Sequence, residues 1–358
     1  MLNLSLSGHS QRLEDHLHNR QQNNFNLIRL ISALLVILAH FSPTIDPVYL
    51  LSHGVVSCNE IAMPAFFFLS GLLVSQSLHQ SPSRLNFLWR RFLRLYPAAC
   101  FVIILSACVL GPLVSTYPPA VYFSHPLFWQ YLRTTLLIHI YFYLPGVFHR
   151  SPLGPSVNAS LWSLSLELKL YAGLFLSGYI KNRRIYNLLV TISIIILAII
   201  GAFFRIPVQT AIRQAGYPGF VLYPYTNMLV YFLIGILCYR FRTRLFIPAY
   251  WIALIPLIGL ISIWLHILNL TAFLLLPAAI LYAAVNGARW IKKITPAPDL
   301  SYGIYVWGFP AGQMVLIYLH PPGPALTLLL TILCTLPPAL VSWYLVESKA
   351  LKAKNRVK

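Results

Sequence analysis

The chain has 358 residues, 58% of them hydrophobic and only 9% charged, with a mean hydropathy of +0.71. Soluble domains carry about a quarter charged residues, so this composition excludes an ordinary soluble enzyme and calls for membrane spans of ~20 apolar residues each. The formal net charge of +19 would suggest nucleic acid in a soluble protein, but its distribution along the chain gives a simpler account.

Residues 1–22 are polar and include His9, Arg12, Glu14, Asp15 and Arg20, so they read as a tail and not as a cleavable signal. Apolar stretches follow near 27–43, 60–78, 95–116, 160–180, 185–204, 219–239, 248–266, 269–288, 300–319 and 325–346. The expected fold class is all-α: a polytopic membrane helix bundle of about ten transmembrane helices. Basic clusters lie at Arg12–Arg29, Arg84–Arg94, Lys181–Arg184, Arg240–Arg244, Arg289–Lys293 and Lys349–Lys358. With ten crossings they all fall on one side, which the positive-inside rule makes cytoplasmic. The expectation is a multi-pass protein of the cell (inner) membrane with both termini cytoplasmic. Residues 24–348 would form one transmembrane domain between a polar tail (1–23) and a basic tail (349–358). No internal repeat or low-complexity tract is visible.

The stretch "LFWQYLRTTLLIHIYFYLPG" (127–146) is apolar enough for another crossing. A full crossing there would invert every later loop and break the charge pattern. It is expected instead as an interfacial or re-entrant helix.

Four segments carry candidate chemistry. In the first span, Arg29 and His40 stand eleven residues apart, about three helical turns, and so share a helix face ~16 Å apart along the axis. They suit an anion anchor and a titratable imidazole along a polar passage. They equally suit a snorkelling arginine and an interfacial histidine, and the pattern leaves both open. In "RLNFLWRRFLRLYPA" (84–98), read as a cytoplasmic connection, Arg91 and Arg94 are three apart and point the same way on a helix. Two guanidiniums on one face match a phosphate or diphosphate, although contact with anionic lipid would account for them too. In "NASLWSLSLELKLYAG" (158–173), Glu167 is one of seven acidic residues and lies within an apolar helix, where it calls for a polar cavity or a cation on another helix. Last, Tyr302, Tyr305 and Trp307 in "LSYGIYVWGFPAGQM" (300–314) are rings of an aromatic belt or of a sugar-binding groove.

Taken together and in order, these segments resemble acyltransferase family 3, integral membrane proteins that O-acylate surface polysaccharides and related glycans. The family carries a basic residue and a histidine flanking ten residues of the first span, matched by Arg29 and His40. Its Arg-x-x-Arg pair is matched by Arg91 and Arg94, and "FFFLSGLLVSQSL" (66–78) is similar to its second-span motif. In "LWSLSLELKLY" (161–171), Trp162 and Glu167 match its Trp-Ser-Leu-x-x-Glu block. "LSYGIYVWGFP" (300–310) and "SWYLVESKAL" (342–351) match its last two. Many members carry a second histidine where this chain has Gly308.

The resemblance implies an O-acyltransferase using cytoplasmic acyl-CoA, commonly acetyl-CoA, with no metal expected. The acceptor would be a hydroxyl of an extracytoplasmic glycan or lipid-linked saccharide. His40 would act as general base with Glu167 assisting, and Arg29, Arg91 and Arg94 would hold CoA phosphates. Trp162, Tyr302 and Trp307 would line the acceptor side. The expected partners are acyl-CoA, the glycan and the bilayer, with no nucleic acid. The alternative is a multi-pass transporter of a small anionic or sugar substrate built on proline-broken helices, and a scaffold of a polysaccharide assembly complex is a third class. A transporter gives no particular reason for the Arg91/Arg94 pair, and a scaffold predicts that changing His40 does nothing. The five cysteines have no metal or redox spacing, and His40, His53, His125, His139, His149, His266 and His320 show no ligand pairing.

Overall fold

The computed structural model describes residues 11–17, 23–42, 46, 57–203, 222–265, 267–286 and 299–353. His53, His266, the basic residues Arg20, Arg289, Lys292, Lys293, Lys354, Arg356 and Lys358, and most of the two tails lie outside them.

The described chain is overwhelmingly helical. In order come α1 (Leu13–Leu17), α2 (Phe25–Phe41), α3 (Asn59–Gln80) and α4, which starts as Arg84–Leu105 and runs on through a π turn to Val114. Two short helices follow, α5 (Pro119–Ser124) and α6 (Pro126–Leu132), then α7 (Trp162–Ser177), α8 (Arg183–Phe203) and α9 (Leu222–Arg240). The last four are α10 (Trp251–Trp264), α11 (Leu268–Asn286), α12 (Ser301–Met314) and α13, which starts as Pro324–Ser342 and runs on to Ala353. Strands β1 (Gln11–Arg12) and β2 (Phe246–Ile247) form one two-residue antiparallel pairing. Among the described residues α3, α4, α8 and α13 are long and apolar enough to cross a membrane, and α2, α10 and most of α11 are shorter apolar helices.

Two expectations change. The arginine-rich stretch 84–94 is not a connection but the first turns of α4. Ser83 caps it, its side chain accepting from the Asn86 N–H. At 31 residues this helix is ~46 Å long, more than the ~30 Å hydrocarbon core, so a crossing by it leaves room for a basic end. The helix expected over 127–146 is cut to its first third. α6 ends at Leu132, a 3-10 turn covers Arg133–Leu136, and Leu137 turns left-handed at φ 54°. Irregular chain then runs to Asn158, with Leu137, Leu144, Val147, Phe148 and Val157 buried. Burial of Leu137 outweighs the cost of its backbone conformation. Irregular backbone at membrane depth is tolerated where protein covers it and satisfies its polar groups. Here Val157 N–H donates to Phe142 O at 2.7 Å and Tyr141 N–H to Thr134 Oγ1 at 3.0 Å.

The chain divides into two compact units, one formed by residues 1–29, 63–79 and 177–297, the other by 30–62, 80–176 and 298–358. In the first, α3 and α9 touch backbone to backbone. A Cβ on Gly71 would stand 2.0 Å from Phe232 O, and one on Gly235 would stand 2.3 Å from Phe68 O. Small residues are the usual means of close helix approach where lipid removes the hydrophobic drive. The start of α2 is tied to the end of α11 by Asn24, whose N–H and Nδ2 reach Ala284 O and Ala283 O.

The second unit is organised around α12, nearly every residue of which is buried. α2 lies against it at Gly308 and Gly312, where added Cβ atoms would meet Ile37 at 2.9 Å and the Phe41 ring at 2.3 Å. Tyr302 Oη donates to Leu95 O of α4 at 2.7 Å, and Gly303 faces Ala339 of α13. The loop before α7 is pinned to α12 by Asn158 Nδ2, which donates to Val306 O at 2.8 Å, and by Gln313 Nε2, which donates to Gly154 O and Ser156 O.

Candidate active site

His40, Arg91, Arg94, Trp162, Glu167, Tyr302 and Trp307 all belong to the α12-centred unit, whereas Arg29, three turns before His40 on α2, falls in the other. These seven residues lie on α2, α4, α7 and α12.

His40 is half-buried in the last turn of α2. Its Nδ1 lies 2.8 Å from Val36 O, and its ring meets Phe309 of α12 edge-on at 5.6 Å between centroids. A carbonyl oxygen only accepts, so Nδ1 carries the proton and Nε2 presents the lone pair in the neutral ring. Phe309 and Phe41, 5.4 Å apart, complete an aromatic wall beside it. At Gly308 of α12 the Ile37 side chain already fills the space a Cβ would need.

Arg91 and Arg94 are both half-buried on α4, on the side whose other members, Phe87, Leu95, Ala98 and Val102, are core residues. Arg94 Nη2 lies 2.7 Å from Asp299 Oδ2. The other oxygen of that carboxylate accepts from Ser301 Oγ at 2.6 Å and from Ser301 N–H at 3.3 Å, at the start of α12. Glu347, in the π turn that extends α13, also lies within the electrostatic reach of Arg94 and Asp299.

On α7, Ser163, Glu167 and Tyr171 form a stripe at helical spacing. Ser163 Oγ and Tyr305 Oη are 2.6 Å apart, and both hydroxyls converge on Ser160 O, at 3.2 Å and 2.9 Å respectively. Tyr171 Oη donates to Glu167 Oε1. The Glu167 charge reaches Tyr305 and Tyr302 of α12. Trp162, half-buried, begins the helix. Trp307 is buried with its ring edge-on to Phe101 of α4 at 6.2 Å.

Asp299, Tyr305 and Glu347 complete this polar group; of the three, the sequence singles out only Tyr305, and only as an aromatic ring. Asp299 and Glu347 did carry a signal: they are two of only seven acidic residues in the chain, and Glu347 sits at the end of an apolar run. For Tyr305 the ring was legible but the role of its hydroxyl was not.

A family profile described as an acyltransferase domain matches residues 22–347. A protein named O-acetyl transferase from Shigella phage Sf6 is 26% identical over 346 residues, which covers 92% of this chain and 96% of its own. No solved structure matches.

Proposed function

The chain belongs to the acyltransferase domain family and is an acyltransferase, and from that premise we propose that it moves an acetyl group from acyl-CoA to a glycan hydroxyl across the membrane. The donor is taken from the cytoplasm and the acceptor is an extracytoplasmic glycan or lipid-linked saccharide. The basic clusters support a multi-pass inner-membrane protein of about ten crossings with both termini cytoplasmic. The name of the phage relative supports acetyl as the group moved.

In this reading Arg91 and Arg94 hold the CoA phosphates through forked hydrogen bonds. His40 Nε2 takes the proton from the acceptor hydroxyl as its oxygen attacks the thioester carbonyl. The carbon–sulfur bond then breaks and the imidazolium returns its proton to the CoA thiolate. Glu167 orients the imidazole or the acceptor, and Trp162 offers a face to the sugar.

The observation that carries the proposal is the hydrogen bond at 2.8 Å between His40 Nδ1 and Val36 O. It fixes the tautomer a general base needs without a carboxylate partner. Purified His40→Ala and His40→Gln proteins, assayed for acetyl transfer to the cognate glycan, are expected to lose roughly 10²–10⁴-fold in rate. Full activity in a folded His40→Ala protein removes the assignment.

A further inference from the structure

Among the buried polar atoms of the α12-centred unit that find no hydrogen-bond partner in the described residues, two are complementary. One is a donor, the indole Nε1–H of Trp307, on a residue 7% exposed. The other is an acceptor, Oε2 of Glu347, on a residue 4% exposed whose Oε1 already accepts from Ser342 Oγ at 3.1 Å. Leaving such groups unpaired in a sealed environment is costly, so each calls for a ligand group.

Their positions follow one stripe of α4. Trp307 stands against Phe101, and the π turn that carries Glu347 packs on α4, with Glu347 in the field of Arg94. Phe101 and Arg94 are seven residues apart, so they share a helix face about two turns, ~10 Å, from each other. Going along that stripe, a ligand would meet a cation and a carboxylate first and an indole N–H farther on.

We propose that Trp307 and Glu347 bind the pantetheine arm of the acyl donor, the indole N–H donating to an amide carbonyl and the Glu347 carboxyl oxygen accepting from an amide N–H. The inference rests on the acyl-CoA reading above and adds the contacts of the linker between phosphates and thioester. That linker is an extended chain with two amides, each offering one carbonyl and one N–H. It supplies both groups the orphaned atoms lack. Trp307 therefore belongs to the donor side and not to the sugar side.

The test is binding of acetyl-CoA and of adenosine 3′,5′-bisphosphate, which lacks the arm, to purified protein in nanodiscs. Trp307→Phe keeps the ring and removes the N–H. Glu347→Gln keeps the shape and lets Oε1 go on serving Ser342, which places an amide NH₂ opposite the ligand's N–H. Each is expected to weaken acetyl-CoA binding roughly five- to tenfold while leaving adenosine 3′,5′-bisphosphate within twofold of wild type. The inference is overturned, with the donor reading intact, if wild type binds acetyl-CoA and both variants bind it equally well. Equal weakening for both ligands overturns it too, because a general loss of structure then explains the effect. Wild-type protein that binds neither ligand overturns the donor reading and this inference with it.

Discussion

Arg94 of α4 and Asp299 at the threshold of α12 form an ion pair at 2.7 Å across 205 residues of sequence. The same carboxylate holds the first turn of α12 through Ser301. Arg94 is therefore a joint between two helices, and the proposed function gives it a second task, so the structural consequence of its substitution needs to be measured by itself.

Asp299→Asn removes the charge but keeps an oxygen for Ser301. It leaves Arg94 with Glu347 as its remaining carboxylate. Breaking one partner of a largely buried pair is expected to cost about 2 kcal/mol here, below the fully buried range because both side chains keep some exposure. Arg94→Gln should cost a similar amount, and Arg94→Gln with Asp299→Asn should cost clearly less than their sum. Thermal unfolding of the four proteins in detergent measures the coupling. Strict additivity would show that the two side chains do not support each other.

The packing of α2 on α12 gives a second expectation. Gly312→Ala places a methyl 2.3 Å from the Phe41 ring and Gly308→Ala one 2.9 Å from Ile37, so both overpack the contact that presents His40. Each should destabilise by about 1–3 kcal/mol, with acetyl transfer falling further than stability explains because the His40 ring is displaced from Phe309. Ile37→Ala should restore much of what Gly308→Ala loses. If neither glycine responds to alanine, α2 and α12 are not in contact as described.

How far all this could be read from residues alone differs by element. Long apolar windows announce α3, α4, α8 and α13, because a helix that must satisfy its own backbone in lipid leaves a hydropathy signature. The common facing of Arg91 and Arg94 follows from their spacing. What they face does not, since Asp299 is distant in sequence and its pairing has no local pattern. Tyr302 reads as an amphipathic ring, but only the fold shows its hydroxyl spent on Leu95 O. The stretch 127–146 has a helix's composition, and Leu137 is a poor residue for a left-handed turn. Tertiary burial overrides both, and burial is what a single sequence does not display.

Gln313 is fully buried and holds three partners in the loop before α7: its Nε2 donates to Gly154 O and Ser156 O, and its Oε1 accepts from Ser151 Oγ. Gln313→Leu keeps most of the volume but strands all three. The expected cost is about 2–4 kcal/mol. Hydrogen exchange over residues 148–158 should rise markedly while that of α4 changes little. Unchanged protection in the loop would mean that its anchoring lies elsewhere, with Asn158 the next candidate.

A last expectation concerns the π turn Ser106–Leu110 of α4. Widening the helix there leaves the Ala107 carbonyl available, and Tyr122 Oη from α5 donates to it at 2.7 Å. The hydroxyl occupies the space beside Gly111, where an added Cβ would stand 1.9 Å away. Tyr122→Phe should cost about 1–2 kcal/mol by stranding that buried carbonyl, with faster amide exchange across Ser106–Gly111. Gly111→Ala should cost more in the wild-type background than in Tyr122→Leu, whose shorter side chain vacates the space, by about 1 kcal/mol or more. The cycle is read by unfolding in detergent followed through tryptophan fluorescence. An equal cost of Gly111→Ala in both backgrounds would separate the glycine from the tyrosine and leave the widened turn without its explanation.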